Sequence, residues 1–232
     1  MKADNNNIQL HVLIACEESQ AECTAFRALG HIAYSCDIQP CRKSGHPEWH
    51  IHGNCLPYLR GRTDFNTQDG VERSVPGWDL IIAHPPCTYL TKVGAVHLRK
   101  DPDGWVLYLG KWQNVNLARW RKLVEARKFF LECLNAKADY LAVENPIPMR
   151  IAELPRPTCY ADPSWFGVKY TKKTLYWLRN LPSVMAEVEY PSPKCYVRSS
   201  RGKYRSRTFP QLAMAIAKQW SAAIIADKSR QH

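Results

Sequence analysis

Two short apolar runs in this sequence end on residues able to do covalent and proton chemistry. The first, Trp78-Asp79-Leu80-Ile81-Ile82-Ala83-His84-Pro85-Pro86-Cys87, delivers a cysteine onto a diproline turn. Each proline fixes φ at about −65° and carries no backbone N–H, so the thiol is held at a defined place just beyond a strand end. A thiolate is a strong nucleophile, but a cysteine in apolar company is as often a small, inert packing group. On this run alone both readings of Cys87 stand. The second run, Tyr140-Leu141-Ala142-Val143-Glu144-Asn145-Pro146, ends on a carboxyl group suited to general acid–base work, although a Glu in this position also serves as a turn or cap residue. His84, beside the diproline, reads as a loop residue lining the pocket, with a general-base role as the alternative.

The elements that must position these groups follow a strand–helix alternation. His11–Ala15 reads as a buried strand, and Gln20–Leu29 as a helix closed by Gly30. Ile32–Ser35 reads as a second strand running out to Asp37. Strand, helix, strand and acid in this order form the first unit of a nucleotide-binding α/β sheet, in which chemistry sits outside the carboxyl ends of the strands. Residues 39–52 read as loop, and residues 71–77 as a turn before the strand Leu80–Ala83. Asp101-Pro102-Asp103-Gly104 signals another turn. A helix is predicted over about Val115–Leu134, with Leu117, Trp120, Val124, Leu131 and Leu134 on one face. After the strand Tyr140–Glu144, a Pro-rich connection leads to a strand near Thr174–Leu178. The last helix, Phe209–Ala226, carries Phe209, Leu212, Ala213, Ile216, Trp220 and Ile224 as a core stripe. The fold class is therefore α/β: one Rossmann-like domain over residues 11–228 behind a polar leader, mostly parallel, with helices on both faces.

Composition narrows the partners. The 232 residues carry 45 % apolar side chains, enough to bury a core, and a formal net charge of +11, with a pI of about 9.3. Such an excess favours an anionic partner, nucleic acid before membrane. Met1–Gln9 is polar, without the pattern of a signal peptide, and no apolar run has transmembrane length. Nine cysteines at irregular spacing do not form a secreted disulfide framework, so a reduced, cytoplasmic setting is expected; the oligomeric state stays open, with a monomer favoured. Cys36, Cys41, His46 and His50, with His52 and Cys55 nearby, are ligand types for zinc, but their spacing matches no known finger and the expectation is no metal.

Taken in order, Pro85-Pro86-Cys87 and Glu144-Asn145-Pro146 behind a strand–helix–strand–Asp unit resemble the DNA cytosine-C5 methyltransferases, and most of all their compact phage-encoded members. The resemblance implies that Cys87 adds to C6 of cytosine and that Glu144 holds N3. A raised Glu144 pKa would suit that role. The target base must be flipped out of a duplex or already single-stranded. It further implies an S-adenosylmethionine site built from Ala15, Cys16, Glu17, Glu18, Asp37, Ile38, Asn54, Cys55, Pro86, Ser206 and Thr208. In that site Asp37 takes the ribose hydroxyls, Asn54 and Cys55 meet the adenine, and Glu17 or Glu18 holds the methionyl amino group. The substrate side comprises Pro86, Asn145, Lys172, Thr174, Arg198, Arg201, Lys203 and Arg205.

The chain also departs from the family. Ala15-Cys16-Glu17-Glu18-Ser19-Gln20 stands where a glycine-rich loop is usual, and without glycine the backbone approaches a ligand differently. Lys172-Lys173-Thr174 stands in for a Gln-x-Arg-x-Arg motif. In place of a target-recognition domain there is a basic arm over about residues 190–208, either a solvated loop or a phosphate-contacting element. Short or relaxed sequence preference is therefore expected. An RNA cytosine-C5 methyltransferase, a modifier transferring another group to C5, and a non-catalytic basic DNA-binding protein on the same fold remain the alternatives.

Overall fold

The computed structural model describes residues 8–188, 195–196 and 208–231. Its centre is a seven-stranded sheet in the order β10-β12-β9-β6-β1-β2-β3. The apolar runs supply its middle: β1 (His11–Ala15), β2 (Ile32–Asp37), β6 (Leu80–Ala83) and β9 (Tyr140–Asn145). All four pair in parallel, and β3 (His50–His52) extends the parallel set beyond β2. Two further strands close the other side. β12 (Thr174–Arg179) runs antiparallel to β9, and β10 (Cys159–Ala161) antiparallel to β12. Because β2 and β3 leave β1 in one direction while β6 and β9 leave in the other, the order reverses at β1/β6, where open α/β sheets form a crevice.

Strands buried on both faces need helices on both. One face is covered by α1 (Ala21–Ala28) and by the last helix, α5 (Pro210–Gln231). Phe26, Leu212, Ile216, Trp220 and Ile224 pack there against Val12, Ile14, Leu80 and Ile82. The expected stripe of the last helix is buried except for Phe209, which is partly so, and the helix continues past Ala226 to Gln231. The other face takes α4 (Leu117–Leu134) and two one-turn helices, α2 (Leu56–Leu59) and α3 (Ala95–Leu98). On α4 the buried residues are Leu123, Phe130 and Cys133, whereas Val124 is exposed. Of the expected stripe, Leu117, Trp120 and Leu134 pack partly buried against the core, while its centre is taken by Leu123, Phe130 and Cys133, with Phe130 edge-on against Trp177 of β12.

Several elements were not visible as runs in the sequence. Residues 39–52, expected as loop, contain β3, whose polar His50-Ile51-His52 is held by parallel pairing to Ser35–Asp37. Residues 71–77, expected as a turn, contribute β5 (Glu72–Ser74), which pairs with β4 (Asp64–Asn66) in a hairpin. A second hairpin, β7 (Gly104–Tyr108) and β8 (Lys111–Val115), is inserted before α4. Short β11 (Tyr170–Thr171) pairs in parallel with β13 (Cys195–Tyr196). Among the described residues no helix is long and apolar enough to cross a membrane.

Candidate active site

The two chemistry-bearing runs finish side by side. β6 and β9 are parallel neighbours with Ala83 opposite Val143, so His84–Cys87 and Glu144–Pro146 leave the same edge of the sheet. Asn145, fully buried, donates from Nδ2 to the Pro85 carbonyl at 3.4 Å. Beyond the motifs the two loops stay zipped: Lys92 N–H donates to Ile147 O at 2.9 Å, Met149 N–H donates to Leu90 O at 2.7 Å, and Thr91 forms a bridge with Pro148. Cys87 closes a tight turn, its carbonyl accepting from Leu90 and Thr91 N–H at 3.0 Å each. Within this turn Pro85 is buried, Cys87 half-buried and Pro86 exposed.

His84 links the edge together. Its Nδ1 lies 3.2 Å from Glu144 Oε2 and its Nε2 lies 2.9 Å from Glu22 Oε2, on α1. With a carboxylate oxygen against each ring nitrogen, the imidazole carries two protons and donates to both. Burial opposes that charge, but Glu22 and Glu144 outweigh it and hold the His84 pKa well above the ordinary histidine range. For Glu144 burial likewise works against ionisation. The hydrogen bond from His84, the nearby Lys172 charge and a hydrogen bond from Thr174 prevail, and its pKa lies below the usual glutamate value. This corrects the sequence expectation of a raised Glu144: the side chain opposite is a cation, not an apolar wall. The register places Tyr176 against Glu144 and Leu175 against Asn145, which brings Thr174 and Lys172 to the same end. Glu144, Lys172, Thr174 and Thr208 line one narrow pocket there.

Of the expected cofactor residues, Ala15–Glu18, Asp37, Ile38, Asn54 and Cys55 lie along the same carboxyl edge, at the ends of β1, β2 and β3, while Pro86 follows β6 and Thr208 precedes the last helix. Cys16 follows Ala15 in a left-handed conformation, φ 63°, and Gln20 repeats it at φ 57°. A turn without glycine therefore still reverses the chain, at the strain cost of non-glycine residues in that region. Cys16 N–H donates to Cys36 O at 2.7 Å, and the Cys16 and Cys55 sulfurs lie 3.7 Å apart, so that this contact and burial push the Cys16 thiol up. Asp37 caps its own turn by accepting from Gln39 N–H at 2.8 Å, and burial raises its pKa. Next to it Ile38 is 69 % exposed, an apolar side chain beside an acid at the mouth of the edge. Asn54 Oδ1 accepts from Leu56 N–H at 3.0 Å, at the start of α2.

Of the two carboxylates expected for the methionyl amine, Glu17 is committed elsewhere. It is 4 % exposed and accepts from Glu22 N–H at 2.8 Å and Cys23 N–H at 3.3 Å, capping α1. Burial and the Glu22 charge push its pKa up to about 8. Glu18 is half-buried and accepts from Arg42 Nε at 2.8 Å and Nη2 at 3.0 Å. Arg198, Arg201, Lys203, Arg205 and Ser206 lie outside the described residues.

The zinc ligand types are dispersed in other bonding. Both His50 ring nitrogens are engaged, by Ser35 Oγ at 2.8 Å and Gln39 O at 2.9 Å, and His46 stacks on Trp49. Among the described residues no three His, Cys, Asp or Glu side chains are grouped to hold a metal ion. Sequence reasoning missed Glu22, which reads as an ordinary first-turn acid. The signal for it lies in topology, since α1 starts beside the β1/β6 crevice that receives His84.

The chain matches no family model and no curated protein. Solved structures similar to it include a DNA modification methyltransferase encoded within an Escherichia coli prophage, at 13 % identity and TM-score 0.40, over 73 % of this chain and 46 % of that one. The Entamoeba histolytica methyltransferase EhMeth is similar at 11 % identity and TM-score 0.37, covering 81 % and 58 %. A Spodoptera frugiperda DNMT2 mutant is similar at 14 % and 0.34, covering 83 % and 56 %. The chain thus spans between 46 % and 58 % of the length of these proteins. What its own strand order defines is a mostly parallel, Rossmann-like α/β sheet with its motif loops at the switch-point edge.

Proposed function

We propose that this protein is an S-adenosylmethionine-dependent DNA cytosine-C5 methyltransferase. The observation that carries the reading is the meeting of two loops: Pro85-Pro86-Cys87 and Glu144-Asn145-Pro146 are joined by the Asn145–Pro85 hydrogen bond and by the pairing beyond it. A nucleophile and a proton-handling carboxyl group are thereby held on neighbouring strand ends.

In this reading the Cys87 thiolate forms a bond to C6 of an extruded cytosine, and electron density moves to C5. N3 takes a proton as that happens. Glu144 is ionised at rest, so the proton is handed on from His84 Nδ1, 3.2 Å from Glu144 Oε2. S-adenosylmethionine, when bound, supplies the electrophilic methyl group that C5 takes. Water then takes the C5 proton, the C5–H electrons form the C5=C6 bond as the C6–S bond breaks and Cys87 leaves as thiolate, and N3 gives its proton back through Glu144 to His84. Asp37, Ile38, Asn54 and Cys55 would hold the cofactor's nucleoside end. The exposed apolar Ile38 beside the Asp37 carboxyl suits a purine next to ribose hydroxyls. Glu18 rather than Glu17 would meet the amino group. Lys172 and Thr174, which already act on Glu144, would keep it ionised until the base arrives.

The test is product analysis. Purified protein, S-adenosylmethionine and cytosine-containing DNA should yield 5-methylcytosine in nucleoside mass spectrometry. A modified base at another atom, or no product while S-adenosylmethionine binds, would overturn the reading.

A further inference from the structure

The β7–β8 hairpin is built inside out. Its inner face, Val106 and Val115, packs on the core. Its outer face carries Trp105, Leu107 and Trp112, which are 62 %, 58 % and 65 % exposed. The register places Leu107 directly opposite Trp112, so the three form one continuous apolar surface where a lone hairpin would ordinarily show polar side chains. The tip is Leu109-Gly110, with φ 48° and 71°. Such two-residue turns favour Asn, Asp or Gly. Here a leucine accepts the left-handed backbone and stands 67 % exposed at the apex.

This hairpin is rooted in the candidate site. Tyr108 Oη donates to Arg150 O at 2.7 Å, in the segment that follows Glu144-Asn145-Pro146. Leu117 N–H donates to Asp103 Oδ1 at 2.7 Å at the root. Arg119 reaches from α4 to the Thr88 carbonyl, one residue after Cys87, at 2.7 Å, and lies over the Tyr89 ring at 4.2 Å. Beside that contact opens a cavity of about 270 Å³, lined by His97, Lys100, Arg119 and Lys122 with Tyr89 and Asp101. Three permanent cations and one carboxylate around a single cavity select an anion.

We infer that the β7–β8 hairpin is a wedge for duplex DNA: Leu109 and its apolar neighbours enter between stacked bases while the Lys100–Arg119–Lys122 cavity takes a backbone phosphate. The inference rests on the proposed function, for which it supplies the means of unstacking the target base. Apolar side chains inserted at a base step unstack it, and phosphate contacts fix register without reading sequence. A net charge of +11 favours a polyanion on this face over a second copy of the chain, which would bring like charges together.

The experiment uses the full chain and a 20-base-pair duplex carrying 2-aminopurine beside a cytosine, with Val71→Ser, an exposed apolar position remote in sequence, as control. Leu109→Asn keeps a residue that tolerates the left-handed turn, so it separates loss of the wedge from loss of the fold. It should abolish the rise in 2-aminopurine fluorescence that accompanies unstacking. Trp105→Ala with Trp112→Ala should weaken duplex affinity at least tenfold in fluorescence anisotropy at fixed salt, and the control should match the native chain. Affinities within threefold of native with the fluorescence rise intact would overturn the inference, as would sedimentation showing that this face joins two copies while duplex affinity is unchanged. Methyl transfer is scored separately. Transfer with unaltered duplex behaviour of the variants removes the hairpin alone, whereas lost duplex binding without any transfer by the native chain removes the enzymatic reading and leaves the wedge.

Discussion

Replacing His84 by leucine strips the cation from between two carboxyl groups. The His84 side chain is 13 % exposed, that of Glu22 0 % and that of Glu144 15 %, so solvent screens little of the loss. Among the described residues Glu22 Oε1 already has no hydrogen-bond partner, and without His84 its Oε2 loses the bond at 2.9 Å as well. Removing one member of a buried ion pair costs about 3–5 kcal/mol. For a chain of this size each kcal/mol moves Tm by about 2–4 °C, so His84→Leu should lower Tm by about 6–20 °C at pH 7, followed by circular dichroism. Adding Glu22→Gln should recover part of the loss, because the stranded charge is then removed along with its partner. The linkage has a definite sign. The folded-state pKa of His84 is raised, so its contribution is full below the unfolded value of about 6.5 and is lost as pH rises through the folded one. A Tm change below about 2 °C in His84→Leu, or no recovery in the double variant, would refute the argument that this triad is a tightly coupled ionic unit.

Glu144→Gln keeps size and hydrogen bonding but cannot pass a proton, and methyl transfer should fall about 10²–10⁴-fold while S-adenosylmethionine affinity in calorimetry stays unchanged; an unaltered rate would remove Glu144 from the chemistry. Glu17 is raised from 4.5 to about 8, so the stability it lends is full below about pH 4.5 and is lost as pH rises to about 8. Glu17→Gln keeps one acceptor oxygen for the Glu22 N–H without that titration, and the Tm difference between variant and native should shift in the variant's favour from pH 5 to pH 9. A Cβ at Gly104 would meet Leu117 Cδ1 at 2.5 Å. Gly104→Ala should therefore cost about 1–3 kcal/mol in denaturant unfolding and loosen the root of the hairpin.

How much of this was legible follows from where information is local. The strands His11–Ala15, Leu80–Ala83 and Tyr140–Glu144 announce themselves as apolar runs, and parallel pairing then forces Cys87 and Glu144 to one edge. β3 is not such a run: its histidines form a strand only because β2 offers a pairing edge, and His50 is satisfied by Ser35 and Gln39. The bond between His84 and Glu22 spans 62 residues and depends on the β1/β6 neighbourhood, which no spacing encodes. The same blindness misjudged Glu144, whose ionisation is set by His84 just after β6, Lys172 just before β12 and Thr174 at the start of β12. Beyond the turn signal at Asp101–Gly104 the sequence carries no reading of the β7–β8 hairpin, and only its register shows Trp105 and Trp112 facing outward.

The central claim is that the Cys87 sulfur bonds to C6 of cytosine. A duplex bearing 5-fluorocytosine tests it directly, because fluorine cannot leave C5 as a proton does and the adduct is trapped. Incubated with S-adenosylmethionine and this DNA, the native chain should form a one-to-one, denaturant-stable complex whose linkage maps to the peptide containing Cys87, and Cys87→Ser should form none. An active native chain that forms no adduct, or a Cys87→Ser chain that forms it equally, would contradict the assignment.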